Sequence, residues 1–297
     1  MEFTYTIRKE HDGTLLRDYL REELDLSSRL IKKVKSPAGG LFINGEKKTV
    51  RYTLRTGDTL TVVFPNEERS ESLHPENIPL HIVYEDEHIL IVDKPSGIAT
   101  IPSQLHANGT VANGILYYYE KKKLPYTIHI VTRLDKDTSG LVVVAKHQYC
   151  HSLLTVLQRK NEIAREYEAV VAGQLRKKEA TICAPIGRKS DSIIERTVTP
   201  DGKKAVTHYR VIKETEDVSL VRIRLETGRT HQIRVHFAHI GHPLVGDSLY
   251  GKDPTYVNLL KRQALHCAYV RFQHPFTKEF IEVNSPLADD IKRLISS

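Results

Sequence analysis

The sequence predicts an α+β protein in two parts: a small N-terminal unit and a larger domain built on a mixed sheet. Three observations predict it. Segments with strand patterning outnumber helical ones and do not alternate with them as a regular βαβ series would. A polar, acidic, proline-bearing stretch at 65–79, "PNEERSESLHPENIP", reads as a linker between the two parts. The length, 297 residues of which 40% are hydrophobic, suits one large core with a small appendage. There is no internal repeat and no low-complexity tract.

The small unit runs over 1–64. In "TLLRDYLREELDLSSRLIKKV" Leu16, Leu20 and Leu24 recur at helical spacing, and a second helical run follows. There Leu30, Ile31 and Val34 face inward, while Arg29, Lys32 and Lys33 share a face. Asn44-Gly45 in "LFINGEKKTV" signals a hairpin, and "GDTLTVVF" a closing strand. The larger domain spans 80–297. "EHILIVDKPSG" is a strand ending in a turn, "GLVVVAK" a second strand, 148–160 a helix and "REYEAVVAG" a third strand. "SLVRIRLET" alternates, with Val221, Ile223 and Leu225 on one face and Arg222, Arg224 and Glu226 on the other. "RTHQIRVHFAHIG" is a helix with Ile233, Phe237 and Ile240 as its apolar stripe and Gly241 as its stop. "ALHCAYVRFQHP" and "EFIEVNSP" add two strands, and "LADDIKRLISS" a last helix.

Lys and Arg number 44 against 37 acids, a net charge of +7, which favours a polyanionic partner. The three cysteines, Cys150, Cys183 and Cys267, are far apart, so neither a disulfide framework nor a structural zinc site is expected. The N-terminus lacks a signal-peptide core, and no run approaches the roughly 18 apolar residues of a membrane span. A reducing, cytoplasmic setting is expected. Walker A, G-x-S-x-G and H-E-x-x-H patterns are absent.

Several residues stand out. The basic helical face is either an RNA-contacting surface or a solvated helix side. His231, His236, His239 and His242 invite a metal reading, but only His236 and His239 share a helical face, so a metal is not expected. His231 lies three residues before Arg234, on its side of the helix. Arg234 interrupts the apolar part of that helix; it either snorkels to solvent or pairs with a buried acid. Tyr167 starts a strand, as a core residue or as one wall of a pocket. In "VTRLDKDTSGLVVVAK", 131–146, Asp135 sits with Arg133, Lys136, Thr138 and Ser139 at the mouth of an apolar strand. It is either a turn residue or a single working carboxylate beside a cation, because an ionised acid there is costly unless paired.

Taken in order, "DEHILIVDKPSGIATIP", "TRLDKDTSGLVVVAK", "REYEAVVAG", "LETGRTHQIRVHFAHIGHPLVGDSLYG" and "ALHCAYVRFQHPFT" give the chain its resemblance to the RluA-type pseudouridine synthases, in the form with an N-terminal S4-like RNA-binding domain. The resemblance implies a pseudouridine synthase fold with a mixed, mainly antiparallel sheet and a small α/β S4-like domain in front. It implies an isomerase that converts uridine in structured RNA to pseudouridine without cofactor or metal. The RNA is ribosomal ahead of transfer RNA, and a monomer is expected. By the same resemblance Asp135 is the catalytic acid, Tyr167 contacts the target base and Arg234 pairs with Asp135, a double hydrogen bond suiting that geometry. Arg133, Arg229 and Lys94 are candidate phosphate contacts, with His231 and, in the small unit, Arg29, Lys32 and Lys33 as further RNA-binding candidates. One departure is Thr132, where the family commonly has His; it bears on how the loop meets RNA. Attack of Asp135 on the sugar and removal of a sugar proton both stay open. A non-catalytic RNA-binding or ribosome-assembly factor is the competing reading, and a metal-dependent hydrolase rests only on the histidine group.

Overall fold

A computed structural model of the chain describes residues 1–69, 72–103 and 107–296. Residues 1–64 build their own sheet and their own core. Four antiparallel strands lie in the order Glu2–Thr6, Thr59–Val63, Gly40–Ile43, Glu46–Lys47. Asn44 and Gly45 join the last two with φ of 51° and 83°, the paired left-handed conformation of a tight hairpin turn. Helices Leu16–Glu22 and Ser28–Val34 bury Leu16, Leu20, Leu30, Ile31 and Val34 against Leu41, Ile43, Leu60 and Val62. The second helix starts where the Ser27 hydroxyl accepts the Leu30 N–H at 3.3 Å. Leu24 lies past the end of the first helix yet is buried in the same core.

Among the described residues the larger domain is built on a ten-stranded sheet, with a separate two-stranded sheet of Ile186–Arg188 and Arg196–Val198. Its main path runs Glu179–Cys183, Val206–Glu214, Val218–Leu225, Ala164–Ala172, Leu265–Gln273, Ser139–Ala145, Ile89–Lys94, His81–Glu85. Pairing is antiparallel except between Leu265–Gln273 and Ser139–Ala145, so the sheet is mixed and mainly antiparallel, as expected. All seven residues of Ser139–Ala145 are buried, which suits an apolar run covered on both faces. Halfway along this strand its neighbour on one side changes from His129–Ile130 to Leu265–Gln273. Loop 131–138 emerges at that break. The parallel contact there is closer than a side chain permits: Gly140 has φ 110°, and a Cβ would overlap the Cys267 backbone.

The two parts are joined by side chains. Phe3 stacks on Phe276 with centroids 5.2 Å apart, Phe64 on Tyr149 at 5.0 Å, and the Tyr5 and Tyr149 hydroxyls meet at 3.1 Å. Lys33 reaches across to donate to Gln148 Oε1 at 2.6 Å. Its ammonium therefore serves this joint, whereas Arg29 and Lys32 on the same helix stay exposed. The stretch expected to be a linker is tied to the larger domain at several points; residues 70 and 71 lie outside the described residues. Glu67 accepts from His129 Nε2 at 2.7 Å, the Thr127 hydroxyl at 2.9 Å and the Gln148 N–H at 2.8 Å. Arg69 donates to Glu120 and to the Leu124 carbonyl, each at 2.9 Å.

Burial opposes the charge on Glu67, but these donors outweigh it and hold the carboxyl at about 2. A folded-state value below the unfolded one stabilises above the unfolded pKa, near 4.3, and the gain is lost as pH falls through about 2. We therefore expect Glu67→Gln to cost roughly 2–3 kcal/mol at pH 6, falling to about 1 kcal/mol at pH 3, in urea unfolding of both proteins at each pH. An equal gap at both values would show that the ionised acid is not the clamp.

Candidate active site

Loop 131–138 is gripped from both sides. The Val131 and Thr132 N–H groups donate to the Val143 carbonyl at 2.9 and 3.2 Å, and the Thr132 hydroxyl accepts the Val143 N–H at 3.0 Å. Thr132 is 1% exposed, so its side chain is part of the sheet and acts on the loop from beneath. The Thr100 hydroxyl donates to the Leu134 carbonyl at 2.9 Å and accepts its N–H at 3.2 Å. Lys94 spends its ammonium on three carbonyls, those of Pro95, Ile98 and Lys136, at 2.8–2.9 Å. Lys94 is 0% exposed, which corrects its expected role as a phosphate contact: it clamps the loop from inside. Burial pushes its pKa down to about 7, against the pull of Asp137 and Asp135.

At the loop's centre the Asp135 side chain keeps 32% exposure. Arg234 Nη1 donates to Asp135 Oδ2 at 3.3 Å. The fork of the guanidinium, however, goes elsewhere: Nε and Nη2 donate to the two oxygens of Asp247 at 2.7 and 2.8 Å. This corrects the expected double hydrogen bond from Arg234 to Asp135. Asp247 is fully buried and also accepts the Leu249 and Tyr250 N–H groups at 3.0 and 3.1 Å. Gly246 before it has φ 73° and passes against the Arg262 carbonyl where no side chain fits. Burial works against the charge of Arg234, but the hydrogen bonds and charge of Asp247 outweigh it and raise its pKa.

His231 caps the Gln232–His239 helix in the left-handed conformation, φ 57°. Its Nδ1 lies 2.8 Å from the Tyr250 hydroxyl, and Nε2 3.7 Å from Asp135 Oδ2. The Tyr250 oxygen already accepts the Arg196 N–H at 2.9 Å, so its proton is free for Nδ1, which leaves the Nε2 proton facing Asp135. Burial, with the charge of Arg234, pulls the His231 pKa down against the opposing pull of Asp135. Tyr167 is 5% exposed, and its hydroxyl accepts from Arg165 Nη1 at 3.1 Å. Burial raises its pKa, with Arg165 opposing, so it stands as a neutral phenol. Above these groups opens a cleft of about 700 Å³ lined by Asp135, Tyr167, Arg165, Arg133, Arg229 and His231. That volume fits a ligand of nucleotide size.

Residues 88–239 match the family model for RNA pseudouridylate synthases. The chain belongs to that family. The synthase is 50% identical over 273 residues to an uncharacterized RNA pseudouridine synthase of Bacillus subtilis, YjbO, covering 92% of this chain and 95% of the relative. It is 37% identical over 302 residues to ribosomal large subunit pseudouridine synthase D of Vibrio cholerae, covering 98% of this chain and 93% of the relative. Among solved structures, human RNA pseudouridylate synthase domain containing 1 aligns with a TM-score of 0.60 at 26% identity, over 71% of this chain and 84% of that one. The synthase is thus an isomerase.

Of the residues singled out in its sequence, the synthase brings Asp135, Tyr167, Arg234, His231, Arg133 and Arg229 to one cleft. Arg133 and Arg229 are exposed at its lining. Arg29 and Lys32 belong to the separate N-terminal sheet unit. The four histidines do not converge: His236 contacts the Thr207 hydroxyl and the Ala184 carbonyl, His242 the Ala172 carbonyl, and His239 is exposed. Among the described residues no helix is long and apolar enough to cross a membrane. Sequence reasoning missed Asp247, Tyr250 and Arg165. The signal for the first two was "GDSLYG", a glycine that admits close packing followed by an acid and an aromatic.

Removing one partner of a buried ion pair costs about 3–5 kcal/mol, because the other is left charged and alone. Asp247→Ala should lower stability by that order in urea unfolding. Asp135→Ala, at a partly exposed acid with one long contact, should cost less than about 1 kcal/mol. The double variant Asp247→Leu/Arg234→Met should recover most of the loss, and failure to do so would put the cost elsewhere.

Proposed function

We propose that the protein isomerises specific uridines of structured RNA, ribosomal RNA of the large subunit being the favoured class, with Asp135 as the single catalytic carboxylate and no cofactor. The carrying observation is a lone, partly exposed acid held on a buried guanidinium at a cleft of about 700 Å³ beside a tyrosine ring. Several relatives bear the name ribosomal large subunit pseudouridine synthase D, which supports the choice of RNA. The net charge of +7 suits a polyanion.

The target uridine must leave its stack to enter the cleft, at a cost of a few kcal/mol. Stacking on Tyr167 returns part of that, about 1–3 kcal/mol. Arg133 and Arg229 take phosphates at the rim, and Arg234 and the Nε2 proton of His231 face Asp135 and orient it. Only one contact of Asp135, at 3.3 Å, is spent on Arg234, so the carboxylate keeps lone pairs for the ribose. It either attacks C1′ or takes the C2′ proton; both routes free uracil with the N1–C1′ pair. The base turns and C5 bonds to C1′ as the Asp135–C1′ bond breaks or as Asp135 returns the proton to C2′; the C5 proton then leaves and N1 gains one. Nothing is oxidised and no outside atom enters, so no cofactor is required. Tyr167, a neutral phenol, serves as a stacking wall, and the C5 proton goes to a water beside it or to the regenerated Asp135. The N-terminal unit acts as an S4-like RNA-binding domain through exposed Arg29 and Lys32.

Asp135→Asn should slow pseudouridine formation on in vitro transcribed large-subunit ribosomal RNA by at least about a thousandfold, while RNA affinity and melting temperature stay near wild type. Normal activity in that variant would remove Asp135 from its role.

A further inference from the structure

We propose that Arg165 is a catalytic residue of the synthase, whose guanidinium takes up the negative charge on the uracil when the N1–C1′ bond breaks. The inference rests on the function proposed above and adds to it the group that stabilises the leaving base.

Arg165 is half-buried near the start of strand Ala164–Ala172 and lines the same cleft as Asp135. Its one hydrogen bond among the described residues goes from Nη1 to the Tyr167 hydroxyl, at 3.1 Å. No carboxylate among the described residues lies within ion-pairing distance of it. The buried guanidiniums of Arg234 and Arg262 are neutralised, by Asp247 and Asp290, each at 2.7 Å. Asp135 is not its partner either, since that acid faces Arg234 and His231. A neutral phenol occupies one of the five donors of a guanidinium and cancels none of its charge. A cation kept unpaired in a half-enclosed cleft is costly to maintain and is neutralised when an anion arrives.

The position decides which anion. Phosphates of the chain meet the exposed Arg133 and Arg229. Arg165 instead touches the hydroxyl of Tyr167, the ring proposed to carry the base, so its free donors address the base itself. When N1–C1′ cleaves, the bonding pair stays on the uracil, and its charge spreads to the two exocyclic oxygens. C1′ is then bonded to an Asp135 oxygen, or C2′ has given its proton to Asp135. The guanidinium donates to an exocyclic oxygen of the anion, and the charge disappears again when C5 uses the ring's electrons to bond C1′. No oxidant, reductant or co-reactant takes part.

The test uses the full chain in excess over in vitro transcribed large-subunit ribosomal RNA, made once with uridine and once with 5-fluorouridine. Fluorine withdraws electrons and makes the leaving base a more stable anion that needs less help. Rates are read as loss of uridine or of 5-fluorouridine by chromatography and mass spectrometry of nuclease digests, since a fluorinated C5 has no proton to release after it bonds C1′, and affinity by filter binding. Arg165→Gln should slow the uridine reaction by about 100-fold or more at saturating enzyme, and the fluorinated one at least about tenfold less. Arg165→Lys, which keeps the charge but not the fork, should fall between and carries the comparison if the glutamine variant does not fold. Equal slowing of both RNAs, or a defect confined to affinity, would overturn the assignment. A wild-type protein that makes no pseudouridine would instead overturn the function on which it rests.

Discussion

The site depends on one buried ion pair. The fork of Arg234 closes on Asp247 with two short hydrogen bonds, and the remaining Nη1 reaches Asp135 at 3.3 Å. A deeply buried guanidinium left without an acid costs several kcal/mol, and a carboxylate tied by both oxygens is poorly placed to react. Splitting the two tasks between two acids resolves the conflict. Asp247, fully buried, neutralises the arginine; Asp135, partly open, borrows its charge.

The backbone is built to keep that division. Asp135 leaves the sheet at the break where strand Ser139–Ala145 changes neighbour, and Gly140 lets Cys267 approach there. Asp247 follows Gly246, which admits the Arg262 carbonyl at similar closeness. Arg262 in turn donates to the Asp137 carbonyl at 3.2 Å, so the loops bearing the two acids are linked through one residue. Lys94, Thr100 and Gly97 hold the Asp135 loop from its other side. Tyr250 ties His231 to the backbone of Arg196 and lies under the Arg234 guanidinium at 5.1 Å. Asp135 thus rides on a partly buried loop with core-like restraint, the kind of hold that precise placement of a side chain requires.

Much of this was legible in the sequence. The alternation in Val218–Leu225, the buried run Ser139–Ala145 and the Asn44-Gly45 turn gave the sheet elements their register, because period and turn chemistry are local signals. An arginine amid Ile233 and Val235 posed a choice between snorkelling and a buried acid, and the structure buries it at 7% exposure. Its main partner escaped notice: Asp247 sits in a loop where no periodicity marks which way a side chain turns. Lys94 looked like a turn lysine because the carbonyls that bury it come partly from 42 residues away. The contacts of Thr132 and Lys33 were hidden for the same reason, as Val143 and Gln148 are brought near by folding, not by spacing. Helix Val111–Lys121 carries asparagine, glycine and three tyrosines, poor helix formers that tertiary packing overrides. Strand Glu2–Thr6, at the chain's start, is short and half exposed.

The most direct test is a crystal structure of the full chain bound to an RNA hairpin that carries 5-fluorouridine at a position the protein modifies. The account predicts one everted nucleotide in the cleft, its C1′ or C2′ within about 3.5 Å of an Asp135 oxygen, and the Arg234 fork still closed on Asp247. A nucleotide seated away from Asp135, or an Arg234 fork turned onto Asp135 with Asp247 released, would contradict it.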